Sequence, residues 1–269
     1  MSEAKVIKRT KMPNTTDSMA KELRNLGIDT GDTVLVHSSL SSIGWVCGDE
    51  PAVVAALLKA AGAEGTVAMP AHSGANSDPA EWGNPPVPEE WFRTIYENMP
   101  PFDPAVTPVR GIGRIPEYFR RYPGTLRSGH PQLSFCANGK HSRFITEGHV
   151  LTPQLGRESP LGKLYELKAK VLLLGCGYDS CTCFHMGEAL NENMPKKRMG
   201  AAVLKDGKRE WIWFEDFSYD SDDFEALGDD FEKAYGVIKG KVGNAACRLF
   251  DLREAVDFAV KWIREHRNL

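Results

Sequence analysis

Short apolar runs separated by amphipathic stretches set the rhythm of this chain. Thr33–His37, Thr66–Pro70, Leu133–Ala137 and Lys170–Leu174 are each mostly apolar and bounded by turn-forming residues. Runs of that length predict strands covered on both faces. Between them, Met19, Leu23 and Leu26 recur at helical spacing, predicting a helix entered through Thr16 or Asp17. Further helices are predicted over Pro51–Ala61, Arg114–Arg121, His141–Glu147 and Leu252–His266. Ala201–Leu204 and Glu210–Phe214 flank Lys205-Asp-Gly-Lys208, a hairpin signal because Asp-Gly suits the tight turns that match strand twist. Strands alternating with helices predict an α/β fold.

Two stretches break the rhythm. Residues 1–14 read as a loose lead-in. Residues 71–108 are rich in Pro, Gly, Asn and Ser yet carry Trp82 and Trp91, which favours an ordered substrate-side loop region over a linker. No repeat, low-complexity tract or boundary divides the chain, so residues 1–269 read as one domain.

Composition narrows the function. The 42% hydrophobic share is that of a globular protein with a sizeable core. A formal net charge of −3 gives no general basic surface, which argues against nucleic acid as a partner. No apolar run reaches the ~18 residues of a membrane helix, and Met1-Ser-Glu-Ala-Lys5 lacks a signal-peptide core; a cytoplasmic protein without membrane contact is expected. The six cysteines form no regular framework, so reduced thiols are expected.

The most informative segment is Val171-Leu-Leu-Leu-Gly-Cys-Gly-Tyr-Asp-Ser-Cys-Thr-Cys-Phe-His-Met-Gly-Glu188. A buried strand ends at Gly175 and Gly177, and Asp179 or Ser180 can cap a helix carrying His185 and Glu188. Residues three apart share a helix face. A proton-accepting imidazole is thus delivered just past a strand end, where open α/β sheets place their ligand sites.

Together with Val36–Trp45, Phe102–Pro108, Pro123–Pro131 and Ser159–Tyr165, this segment resembles the aminoglycoside 3-N-acetyltransferase (antibiotic N-acetyltransferase) family. The blocks run in family order from about Met19 to the C-terminus. Val87-Pro-Glu-Glu-Trp91 and Tyr219-Asp-Ser-Asp222 resemble the Bacillus-type members most. The resemblance implies a single-domain mixed sheet flanked by helices. It also implies acetyl-CoA as co-substrate, a small amine such as an aminoglycoside as acceptor, no metal, and a monomer or homodimer.

Acetylating an amine requires a base, donors for the oxyanion and a site for the thioester. An aliphatic amine with a pKa near about 10 arrives protonated, and an imidazole with a pKa near about 6.5 is suited to remove the proton. His185 is the candidate base. The resemblance makes Asp216 its orienting acid, with neighbouring Glu215 open to confusion with it and Glu188 the local alternative. His130 is expected to contact the donor or assist deprotonation; its structural reading is a pin for the turn before Pro131.

His37, Ser38 and Ser39 fall in the block that lies along the pantetheine arm in the family, and Thr182 is expected to help hold the donor. Arg110, Arg127 and Lys163 are candidate contacts to the coenzyme A phosphates. Asp78, Glu81, Glu215 and Asp220 are candidates for a cationic acceptor.

One departure stands out. The family's usual asparagine before the motif histidine is Cys181 here, exchanging a strong hydrogen-bonding amide for a weak thiol. That exchange motivates an alternative, a binding member with altered or lost turnover. A metal-dependent hydrolase built on His37, His72, His130 and Asp78 is the third reading.

Overall fold

The computed structural model describes residues 3–267 and 269, and its first element is a helix, α1 (Glu3–Arg9), where a loose lead-in was expected. Met1 and Ser2 of that lead-in lie outside the described residues. The segment is ordered by side chains that a pattern search ignores. Thr10 Oγ1 donates to the Val6 carbonyl (2.8 Å) and accepts from the Trp45 amide (2.7 Å). Asn14 is buried and donates to the carbonyls of Ile43 (3.0 Å) and Trp45 (3.1 Å).

The remaining elements follow in order: α2 (Thr16–Leu26), β1 (Thr33–Ser38), α3 (Leu40–Ile43), α4 (Asp49–Ala61), β2 (Thr66–Pro70), α5 (Phe92–Asn98), α6 (Arg114–Phe119), β3 (Leu126–Arg127) and β4 (Phe135–Gly139). Then come α7 (Ser142–Thr146), α8 (Pro160–Glu166), β5 (Lys170–Leu174), α9 (Phe184–Ala189), β6 (Lys196–Lys205), β7 (Lys208–Phe217), α10 (Phe224–Ala234), β8 (Ile238–Val242), β9 (Ala245–Asp251) and α11 (Leu252–His266). The cap of α2 is Thr15, not Thr16 or Asp17, because Thr15 and Ser18 close a reciprocal capping box.

Seven strands form one mixed sheet in the order β3-β4-β2-β1-β5-β9-β8. β2, β1 and β5 run parallel at its centre, and antiparallel pairs close both flanks. Strand alternation sends successive side chains to opposite faces. Val34 and Val36 therefore join Met19, Leu23, Leu57 and Phe119 on one side. Leu35 joins Phe135, Leu164, Phe184, Phe231 and Trp262 on the other. Both faces are covered, so the central strands read as unbroken apolar runs, each large aliphatic contributing about 1.5–3 kcal/mol on burial.

β6 and β7 form a separate ribbon joined at Asp206-Gly207, longer than the hairpin expected but turning where the sequence indicated. The 71–108 segment is ordered against this ribbon. Asn76 exchanges two 2.9 Å bonds with the Ala202 backbone, and the Tyr96 ring sits 4.9 Å from Trp211 and 5.4 Å from Trp213.

Candidate functional site

The carboxyl ends of the three parallel strands open onto one cleft of about 960 Å³. Its wall includes His37 and Ser38 at the end of β1, His72 just past β2, and Cys176, Thr182 and His185 from the segment after β5. Gly175 makes that last connection possible. It has φ +73°, and a Cβ there would lie 2.6 Å from Ser42 Cβ, so a side chain would push the β5 exit off α3.

His185 lies in the first turn of α9, where its amide donates to the Thr182 carbonyl (3.1 Å). Its Nδ1 is 2.5 Å from Glu188 Oε2. Glu188 is fully buried, and its other oxygen accepts from the Asp220 amide (3.0 Å) and from the Arg267 guanidinium. Arg267 also binds both carboxylate oxygens of Asp223 and the Asp220 carbonyl. Burial opposes the charge on Arg267, but its bonds to Asp223 and Glu188 hold the guanidinium above its ordinary range. This network keeps Glu188 an acceptor, so Nδ1 of His185 carries the donated proton and Nε2 is left with a lone pair. Among the described residues no hydrogen bond uses that Nε2, and the ring lines the cleft. The arrangement can take a proton from a bound group and stabilise the resulting imidazolium.

Asp216 is therefore not the partner of His185. Its oxygens accept from the backbone amides of Gln154 and Phe217, both at 2.8 Å, and burial holds its carboxyl above the ordinary range. It pins a loop. His130 is likewise withdrawn: Nδ1 accepts the amides of Gln132 (3.1 Å) and Leu133 (2.9 Å), and Nε2 lies 3.1 Å from the Leu151 carbonyl. Burial, with neighbouring His149, pushes it down to about 3. These contacts fit its structural reading, a pin for the turn before Pro131.

The expected phosphate contacts are placed elsewhere. Arg127 spends its guanidinium on Ser134, Ser73 and the Ala71 and Thr107 carbonyls. Lys163 donates to the Glu147 carbonyl, and exposed Arg110 lies outside the cleft wall. The cation on the wall is Arg114, paired with buried Glu50. The expected acceptor-binding acids are also occupied or remote. Asp78 accepts from Tyr96 (2.7 Å), Glu81 pairs with Lys197 (2.9 Å), Glu215 is exposed on β7, and Asp220 helps frame Glu188. Of the whole 71–108 region, His72 lines the cleft; acidic wall residues instead are Glu3, Asp49 and Asp179.

His37, Ser38, Ser39 and Thr182 do line it. Ser39 is half-buried, its Oγ accepting from Ser42 (3.0 Å). Burial, then the nearby His185, pushes His37 down to about 3, so it stays neutral. Cys181 is fully buried with its sulfur 3.4 Å from that of Cys183, beneath the cleft rather than on its wall. Among the described residues no group of three or more His, Cys, Asp or Glu side chains has metal-holding geometry, and His130 and Asp78 are engaged as above. Sequence reasoning missed Arg267 altogether, since nothing in its spacing links it to Glu188. It named His72 only in the hydrolase reading, although a histidine just past an apolar strand, like His37, was a usable signal.

Comparisons place this geometry among known proteins. The profile of the aminoglycoside 3-N-acetyltransferase family matches residues 35–264. The SPbeta prophage-derived aminoglycoside N(3')-acetyltransferase-like protein YokD of Bacillus subtilis is 48% identical over 259 residues, covering 96% of this chain and 95% of YokD. Its crystal structure superposes with a TM-score of 0.96 at 47% identity, covering 99% of this chain and 100% of that one. Aminoglycoside N(3)-acetyltransferase VII of Streptomyces paromomycinus is 34% identical, covering 98% of this chain and 96% of the relative. A structure of AAC-IIIb in binary complex with CoASH aligns with a TM-score of 0.83 at 31% identity, covering 94% of this chain and 97% of that one. On both the family profile and near full-length identity, this chain belongs to the aminoglycoside 3-N-acetyltransferase family.

Proposed function

We propose that the chain is an acetyl-CoA-dependent N-acetyltransferase that acts by direct transfer to an amine of an aminoglycoside or a related polycationic amine, in the cytoplasm. The observation that carries the reading is the 2.5 Å contact between His185 Nδ1 and buried Glu188, with Nε2 left open on the cleft. The CoASH complex of AAC-IIIb supports the donor. Relatives named for aminoglycosides support the acceptor class, as do the acidic wall residues Glu3, Asp49 and Asp179.

The acceptor amine first loses its ammonium proton to solvent; Nε2 of His185 then takes a second proton as the neutral nitrogen attacks the thioester carbonyl. An N–C bond forms, the C–S bond breaks, and the proton passes from the imidazolium to the departing thiolate, giving the amide and coenzyme A thiol. Glu188 holds the ring in the Nδ1–H tautomer and stabilises the transient charge, while Arg267 holds Glu188 in place. Burial of Cys181 away from the cleft wall leaves the binding-only alternative without an observation in its favour.

The test is thiol release from acetyl-CoA across a panel of aminoglycosides and simple amines, alongside calorimetric binding of acetyl-CoA. Release with at least one acceptor, abolished in His185→Ala while acetyl-CoA still binds, is the expected result. Absence of acetyl-CoA binding to the wild-type protein would overturn the reading.

A further inference from the structure

His72 is a second histidine on the cleft that the proton-transfer scheme leaves unused. Its placement is rigid. The flanking amides of Ala71 and Ser73 donate to the Ser134 and Gln132 carbonyls, both at 2.7 Å, and the Arg110 amide donates to the His72 carbonyl (3.1 Å). The Phe135 ring meets the imidazole edge-on at 5.8 Å and 77°. Yet Nε2 of this ring is buried with no hydrogen-bond partner. Buried polar groups in folded proteins are nearly always paired, and an unmade bond costs about 1–3 kcal/mol, so an orphan on a cleft wall points to a partner supplied by a ligand.

The chemistry of that partner follows from what surrounds the ring. His185 has a carboxylate behind it; among the described residues His72 has none. Burial, with the nearby imidazoles of His185 and His37, pushes His72 down to about 3, so it stays neutral. A neutral imidazole without an orienting acid is a poor base, but it keeps one N–H to offer. His37 and Ser38 also carry an unpartnered buried atom, but His37 is buried at the end of β1 whereas the His72 ring is only partly buried.

We infer that His72 is the electrophilic donor of the site: it hydrogen-bonds the carbonyl oxygen of the bound acetyl thioester and stabilises the charge that develops there when the amine attacks. This rests on the acyl-transfer reading above. A fixed, neutral donor needs no reorganisation at the moment of attack, which is the condition under which such groups contribute most.

The experiment is infrared difference spectroscopy of acetyl-CoA labelled with carbon-13 at the acetyl carbonyl, bound without acceptor. The band should shift to lower frequency on binding to the wild-type protein and to His185→Ala. The shift should be lost in His72→Phe and His72→Leu and be partly restored in His72→Gln, which keeps a donor. In turnover, His72→Phe should lower kcat by about 10²–10³-fold with little change in KM for acetyl-CoA. A band still shifted in both apolar variants, or a shift lost in Ser38→Ala but kept in His72→Phe, would overturn the inference while leaving the acyl-transfer reading intact. If the wild-type protein did not bind acetyl-CoA in calorimetry, both would fall.

Discussion

Oε1 of Glu188 is bound by the guanidinium of Arg267, a residue 79 positions away that follows the closing helix. The acid behind the candidate base is thus held in place by a residue from the far end of the chain. Arg267→Met removes a donor that holds Glu188 in place behind the His185 ring. The variant should lower kcat in the thiol-release assay, since the ring loses part of the frame that orients it. The same variant should lose about 3 kcal/mol in urea unfolding, because it leaves a buried carboxylate without its cation. An unchanged kcat would mean that Arg267 acts on stability alone.

Asp216 and Glu188 give opposite expectations. Glu188→Gln should cut kcat by about 10²–10⁴-fold, since the ring loses the acid that stabilises its charged form. Asp216→Asn should keep kcat within about tenfold but lose about 1–3 kcal/mol, because an amide offers a single oxygen where two backbone amides now bind. Steady-state kinetics and thermal melts on both variants check this. An Asp216→Asn loss as deep as that of Glu188→Gln would restore Asp216 as the orienting acid.

Acid should unfold this protein early. Burial pushes His37, His72 and His130 down to about 3 and His149 to about 4. In the unfolded chain each returns to about 6.5, so between about pH 6.5 and 4 the unfolded state binds more protons. Stability is therefore intact above that window and falls as pH drops through it, by at most about 1.4 kcal/mol per pH unit for each histidine. Urea midpoints at pH 7.5, 6 and 5 should decline steeply. A flat series would mean that the four rings ionise in the folded state.

The turn Tyr178–Ser180 carries Asp179 and Ser180 to the cleft, and its seat is Gly228 of α10. A Cβ at Gly228 would lie 2.1 Å from Cγ of Tyr178. Gly228→Ala should cost about 1–3 kcal/mol through overpacking and raise KM for acetyl-CoA as the turn shifts. Gly236→Ala is the control: nothing lies within 4 Å of its Cβ position, so it should stay within about 0.5 kcal/mol of wild type. Thermal melts of the pair decide the matter.

Arg127→Met should weaken the fold without weakening acetyl-CoA binding, because its guanidinium is committed to five protein acceptors, among them Ser73 and Ser134. Calorimetry and melting temperature separate the two effects. A large loss of affinity with the melting temperature unchanged would return Arg127 to the donor site.

The parts of this fold that were legible in the sequence are those where one physical signal dominates. β1, β2 and β5 are covered on both faces and read as apolar runs; Asp206-Gly207 turns the ribbon; His185 and Glu188 are three apart on one helix. β8 and β9 were invisible. Ile238-Lys-Gly-Lys-Val242 is an edge strand carrying the lysines that discourage further pairing, and the small side chains of Ala245, Ala246 and Cys247 give β9 little contrast between faces. α8 and α10 were passed over as well. The site was half legible. Family blocks located His37, Ser38, Thr182 and His185, but whether an arginine meets a phosphate or a carbonyl depends on contacts such as Arg127 with Ala71, 56 positions apart, which no local pattern encodes.

Helix α1 places Glu3 and Val6 on the cleft wall, yet it has no buried residue. The cleft floor, by contrast, is built from the most deeply enclosed strands. Few buried contacts mean a low free energy of local opening, so the two walls differ in how often they come apart. The floor should exchange its amide hydrogens only with global unfolding, while α1 should exchange them through frequent fraying. A ligand that spans both walls would therefore leave its mark on the protein's dynamics chiefly in seven residues at one rim of the site.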